Sequence, residues 1–250
     1  KNFKASADAL LYASDSEHLL DIDLTYINLE TNVATGGTQR GVYVVFRNET
    51  ASVMRNINIK ADIEPDGASL THGIWFEKLK QAGPTDTVDR GHVIENVNVS
   101  GNINTSSGGM VFLNSAAWGA GEFVDNISFR QLILAGGQPT FALDSLINIA
   151  IFEGVTYASD MNVTGNTTGG RIVFIGCKIR DATTATTDTA HMDFIACNLS
   201  GGTLASIINK NFINTYIGSI LYNNNGLATH KFVTASFVLG VNYGPLSIIG

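Results

Sequence analysis

The sequence predicts an all-β chain folded as a right-handed, single-stranded parallel β-helix, a β-solenoid with coils of about 18 to 30 residues. Three observations predict it. Gly is abundant and Pro scarce, 26 against 4, in a chain rich in Asn, Thr and Ser, the composition of many short strands joined by tight turns. A short alternating segment recurs along the chain. The interval between copies tightens to 20 and then 18 residues, whereas a propeller blade takes about 40 and a leucine-rich repeat needs a dense Leu consensus that is missing.

The copies begin at Asn56-Ile57-Asn58-Ile59, Asn96-Val97-Asn98-Val99, Asn126-Ile127-Ser128-Phe129 and Asn148-Ile149-Ala150-Ile151. Four positions further on stand Ile63, Ile103, Ile133 and Val155. The same template fits Val173-Phe174-Ile175 with Ile179, Asp193-Phe194-Ile195 with Leu199, and more loosely Ile213 with Ile217. Successive steps of 40, 30, 22, 24, 20 and 18 residues place the insertions in the N-terminal half. Val42 to Phe46, Ile74 to Phe76 and Met110 to Leu113 are expected as second faces of the same coils. Alternation sends one parity to the core, and this alignment puts Ile175 and Ile195 there. Asn56, Asn96, Asn126 and Asn148 recur at the strand entry, where stacked amides can hydrogen-bond along the axis. Residues 1–222 form the predicted β-helix; from Asn223 the period is lost, and 223–250 is expected to be a C-terminal cap or trimer-contact segment.

Composition excludes several function classes. With 44% hydrophobic and 15% charged residues over 250 positions the chain is globular rather than disordered. A net charge of −7 without any Lys/Arg cluster argues against a nucleic-acid partner. Apolar runs such as Ser145 to Phe152 are far short of the ~20 residues that span a bilayer, so no membrane insertion is expected. The start, Lys1-Asn2-Phe3-Lys4, has neither initiator Met nor signal-like apolar stretch and reads as a mature or excised part of a longer protein. His18, His72, His92, His191 and His230 have no partner at a metal-motif interval, and no metal or cofactor is assigned. The Gly pairs precede no helix and are read as turns rather than phosphate cradles. Cys177 and Cys197 share one template position a coil apart, as stacked buried thiols or as a disulfide; the burial preference of Cys favours the thiols.

The Asn-hydrophobe-x-hydrophobe repeats, the Gly and Asn turns and the apolar ending around Phe232, Val233, Phe237, Val238 and Leu239 give residues 19–222 an architecture that resembles the β-helical body of a bacteriophage tailspike or tail fibre, shared with pectate-lyase-like enzymes. The resemblance implies a homotrimer at the virion tail, hence extracellular, that binds bacterial surface polysaccharide and often cleaves it. Hydrolysis would need two carboxylates about 5 to 9.5 Å apart. The most acidic and aromatic stretch, Asp62 to His92, supplies the catalytic candidates Glu64, Asp66, Glu77, Asp86 and Asp89, with coil stacking expected to bring Glu64 or Asp66 near Glu77. Sugar rings pack on flat aromatic faces, which makes Trp75 and Trp118, the only tryptophans, the carbohydrate-binding candidates. Trp75 has the opposite parity to Ile74 and Phe76, so it faces out or tucks under a loop; Trp118 sits in a small-residue loop. Three readings stay open: a non-catalytic receptor-binding body, a polysaccharide depolymerase of tailspike type, and a monomeric secreted adhesin or lyase. A lyase would want a Ca²⁺ site of clustered Asp with a basic neighbour, and no such cluster falls on the template. An ice-binding face would need a regular Thr-x-Thr column, which the template also lacks.

Overall fold

The computed structural model describes residues 2–4, 19–31, 40–46, 53–65, 72–78, 93–105, 110–113, 122–143, 146–164, 170–183, 191–205, 210–223, 230–233, 236–239 and 247–249. The described residues are nearly all strand, every pairing between strands is parallel, and no helix is present among them. The strands of the N-terminal half are β1 (Asn2–Lys4), β2 (Leu19–Thr31), β3 (Arg40–Phe46), β4 (Val53–Pro65), β5 (His72–Lys78), β6 (Val93–Asn104), β7 (Met110–Phe112), β8 (Phe123–Ala135) and β9 (Thr140–Ala142). There follow β10 (Ile149–Glu153), β11 (Thr156–Thr164), β12 (Arg171–Ile175), β13 (Lys178–Thr183), β14 (His191–Ile195), β15 (Asn198–Ala205), β16 (Lys210–Ile213), β17 (Tyr216–Asn223), β18 (His230–Val233), β19 (Ser236–Leu239) and β20 (Ser247–Ile249).

Apart from β1, which pairs with β2, and β8, which pairs with β11 as well as β10, strands pair with strands two further along the chain, which sorts them into three ladders. The first runs β2, β4, β6, β8, β10, β12, β14, β16, β18, β20. A second continues from the far halves of the long strands β2, β4, β6 and β8 into β11, β13, β15, β17 and β19. The third is β3, β5, β7, β9, ending on the last residues of β11. The additional strands expected at Val42, Ile74 and Met110 are therefore β3, β5 and β7, paired as Val42 to Ile74 to Met110. Pairing also runs past Asn223, where the sequence period fades: Phe212 pairs with Phe232, and Phe232 with Ile248.

In-register parallel pairing places like on like. One buried column is Ile57, Val97, Ile127, Ala150, Ile172 and Met192. The neighbouring column starts aliphatic, with Ile59 and Val99, and turns aromatic at Phe129, continuing as Phe152, Phe174, Phe194 and Phe212. These rings stack near parallel, 4.6 to 5.2 Å between centroids. A shorter aromatic row, Phe76, Phe112 and Phe141, comes from the third ladder, and Phe141 packs edge-on against both Phe129 and Phe152. The first and third ladders thus face each other across one core. Each ring contributes about 1.5–3 kcal/mol by burial, and aromatic pairing adds about 0.5–1.5 kcal/mol.

The corners are built from residues that tolerate the left-handed region. Asp21, Asn56, Asn96 and Asn126 occupy equivalent positions in β2, β4, β6 and β8, all with φ between 49° and 57°. Short polar side chains accept that conformation by bonding locally. Where Cβ has no room the residue is Gly: at Gly136, φ +95°, an added Cβ would lie 1.5 Å from the Thr105 carbonyl oxygen.

Register corrects the sequence alignment in two places. Ala150 pairs with Ile127 and Phe152 with Phe129, so Asn148 falls opposite Asp125 rather than Asn126. Every later copy slips with it: Ile172, Phe174, Met192 and Phe194 are fully buried, whereas Ile175 is 37% exposed and Ile195 is half-buried. The cause is local. Ile-Ala-Ile-Phe and Ile-Val-Phe-Ile are apolar at both parities, so alternation does not choose a face, and stacking of Phe on Phe does. The second slip is Ile133, 51% exposed, which pairs with Asn102 instead of Ile103 because β8 carries an extra residue around Gln131, φ 47°.

Phe174→Ala is expected to destabilise the protein by about 3–5 kcal/mol, the cost of deleting a buried ring. Ile175→Asp, one residue away on the exposed parity, is expected to stay within about 1 kcal/mol of wild type. Urea unfolding of both variants checks this, and the reverse ranking would restore the alignment that puts Ile175 in the core.

Candidate functional site

The exposed parity of the first ladder is polar in its N-terminal half and arranged in columns. Asn56 Nδ2 donates to Asp21 Oδ1 at 2.7 Å, and Asn96 Nδ2 donates to Asn56 Oδ1 at 3.1 Å. Two residues on, Asn58 donates to Asp23 at 3.2 Å, Asn98 to Asn58 at 2.8 Å, and the Ser128 hydroxyl to Asn98 Oδ1 at 2.8 Å. The second ladder carries a shorter one, in which Asn102 Nδ2 donates to Asp62 at 2.9 Å. In the C-terminal half Asn211 Nδ2 donates to Asp193 Oδ1 at 2.6 Å.

These columns share a direction. In each the carboxylate stands on the earlier strand and the amide on the later one. An ionised Asp only accepts, so the first amide must donate toward it, and each amide after it is turned the same way. Of the four Asn singled out from sequence, Asn56 and Asn96 form such a chain. Asn126 and Asn148 instead donate to Asp125 Oδ2, at 3.5 and 2.9 Å.

Charged groups close by are paired across strands. Arg55 pairs with Glu95, and Arg130 with Glu153 at 3.5 Å. Asp193, only 1% exposed, accepts from Arg171 as well as from Asn211, so its burial is matched by charge and hydrogen bonding. Asp125 is buried too, and its Oδ1 has no hydrogen-bond partner.

Of the sequence candidates, Glu64 lies in β4 opposite Glu30 of β2, and Glu77 lies in β5 opposite Val45 of β3. The two belong to different ladders, so strand pairing does not make them neighbours. Asp66, Asp86, Asp89 and Trp118 lie outside the described residues. Trp75 is half-buried between Tyr43 and Val111 in register, with its ring edge-on to His72 at 4.1 Å between centroids. Sequence reasoning missed Asp21, Asp23, Asn58, Asn98, Ser128, Asp62 and Asn102. Their signal is an Asp followed one repeat later by an Asn, visible only once the repeat length is known. Among the described residues no group of three His, Cys, Asp or Glu is placed to hold a metal ion.

Cys177 and Cys197 are free and buried, at the equivalent turns between β12 and β13 and between β14 and β15, in line with Val155 and Thr215. Cys177 Sγ donates to the Phe152 carbonyl and Cys197 Sγ to that of Phe174. The hydrogen bond shared with Cys197, together with burial, pushes the Cys177 thiol far above its ordinary value. Burial and the Sγ bonds to backbone carbonyls make the pair a packing element of the core.

The arrangement offers hydrogen-bonding groups at fixed spacing along the ladders. Comparison with family models, curated proteins and solved structures finds no match to this chain.

Two outcomes are expected. Asn98→Ala removes one donor and one acceptor from a column and should cost about 1 kcal/mol, whereas Asn98→Asp sets a carboxylate against the Asn58 carbonyl oxygen and should cost more at pH 7 than at pH 4. Chemical denaturation at the two pH values checks the order. The thiols should react with a disulfide reagent only on unfolding. Because the folded Cys177 pKa is raised, its contribution to stability is fully present below the ordinary thiol value of 9.0 and declines as pH rises above it.

Proposed function

We propose that this chain is the right-handed parallel β-helical body of a surface-recognition protein of the phage tailspike or tail-fibre type, a trimer that binds bacterial surface polysaccharide without cleaving it. The observation that supports this reading is the uneven register. Pairing offsets are 35, 40 and 30 residues in the first repeats, Leu19 to Met54 to Ile94 to Val124, and fall to 20 and 18 from Ile172 through Met192 to Lys210. Parallel pairing runs through all of these repeats while the excess chain is concentrated in the N-terminal ones. A rigid scaffold with long connections at one end is the arrangement on which binding residues are carried. In sequence, Asp66, Asp86, Asp89 and Trp118 all fall within these long N-terminal repeats, outside the described residues.

Purified protein should retain capsular or O-antigen polysaccharide on a sensor surface and release no new reducing ends. Light scattering should give a mass near three times 26.6 kDa. Release of reducing ends that disappears in Glu77→Gln would assign a depolymerase instead. A monomer that binds no polysaccharide would sink the reading.

A further inference from the structure

The two polar columns on the first ladder lie side by side, and together they form a grid. One column is Asp21, Asn56 and Asn96, with Asn126 next in register but bonded to Asp125; the other is Asp23, Asn58, Asn98 and Ser128. Along a column the repeat is the spacing of adjacent strands, about 4.8 Å, and the two columns flank the buried Ile57, Val97 and Ile127, the first standing at the left-handed residues. Asp21, Asp23, Asn56 and Asn96 are exposed, while Asn58, Asn98 and Ser128 are half-buried. The first column is thus open to solvent and the second partly so.

Its bonding capacity is only half used. An Asn side chain has two N–H groups and an oxygen with two lone pairs. Within a column Asn58 spends one N–H on Asp23 and one lone pair on Asn98, and Asn56 likewise spends one N–H on Asp21 and one lone pair on Asn96. Each is left with one donor and one acceptor, held in a fixed orientation by the bonds it has already made. A hydroxyl pair on a sugar ring presents the same combination. The strand spacing is also close to the length of one pyranose in an extended chain. Register thus sets successive donor and acceptor pairs one strand spacing apart, so that a glycan lying along the ladder meets one pair per strand. The ordering entropy is met by the fold before a ligand arrives, which favours weak but additive contacts.

Charge narrows the ligand. Both columns begin on an exposed carboxylate, and the chain carries −7 overall. A polymer of uronic or sialic acids would be repelled here.

We propose that this grid is a binding face for an uncharged polysaccharide lying along the ladder, one sugar residue per strand repeat, with four subsites from Asp23 to Ser128. The proposal rests on the polysaccharide-binding reading above and gives it a ligand class, a direction and a length.

The test uses the full chain on a sensor against neutral polymers (dextran, mannan, galactan and neutral O-antigen preparations) and acidic ones (hyaluronan, polysialic acid). Neutral oligomers of two to eight residues cut from the polymer that binds are then titrated in solution. Affinity should rise with each residue up to four and then level off, and the double variant Asn96→Ala with Asn98→Ala should bind at least tenfold more weakly while keeping its far-UV circular dichroism. If that variant does not fold, the length profile of the wild type decides alone. Binding of neutral polymer with no plateau at four residues, or undiminished in the folded double variant, overturns the grid and leaves the polysaccharide reading standing. So does a preference for the acidic polymers. Failure to bind any of them overturns both.

Discussion

Most of the described structure follows from one constraint, the parallel pairing of nearly every strand with the strand two places on. Parallel pairing without slippage brings each residue against its own equivalent, so the same side-chain type repeated along the sequence becomes a continuous column in space. Apolar equivalents give the rows from Ile57 to Met192 and from Phe129 to Phe212. Polar equivalents give the Asp-headed amide rows. The backbone sets the spacing, and the side chains only have to match their neighbours.

The two kinds of column do different work. Buried rows supply the driving force through apolar area removed from water, and their rings add specificity of register because a Phe stacks best on a Phe. Polar rows add little net energy per bond. What they contribute is direction: a carboxylate at one end of a row turns each amide behind it the same way. The ion pairs Arg55 with Glu95 and Arg171 with Asp193 similarly tie one strand to the next.

Most of the fold was legible in the sequence. Parallel β architecture, the extra strands at Val42, Ile74 and Met110, and the tightening of the period all follow from alternation and turn residues. Parity in the C-terminal half was not legible, since Ile149 to Phe152 and Ile172 to Ile175 are apolar at every position and period two has nothing to distinguish. Nor was the single-residue offset at Gln131, which needs a backbone conformation that no residue type announces. The polar grid was half legible. Asn56 and Asn96 stood out as a repeat, but Asp21 and Asp23 did not, because a carboxylate heading a row of amides breaks the identity that a search for repeats looks for. Of the chemistry expected between Asp62 and His92, Glu64 and Glu77 lie in β4 and β5, and strand pairing leaves them on separate ladders.

The aromatic row has a consequence for how such a molecule changes over generations. From Phe152 to Phe174 to Phe194 to Phe212 each repeat brings its own ring, and each neighbour offers the same partner above and below. Duplicating or excising one whole repeat in this stretch would leave each remaining ring between two others. Molecular length is therefore an evolvable quantity that recombination can alter in single steps without inventing a new contact, while the longer N-terminal repeats, each with different connections, are free to diverge on their own.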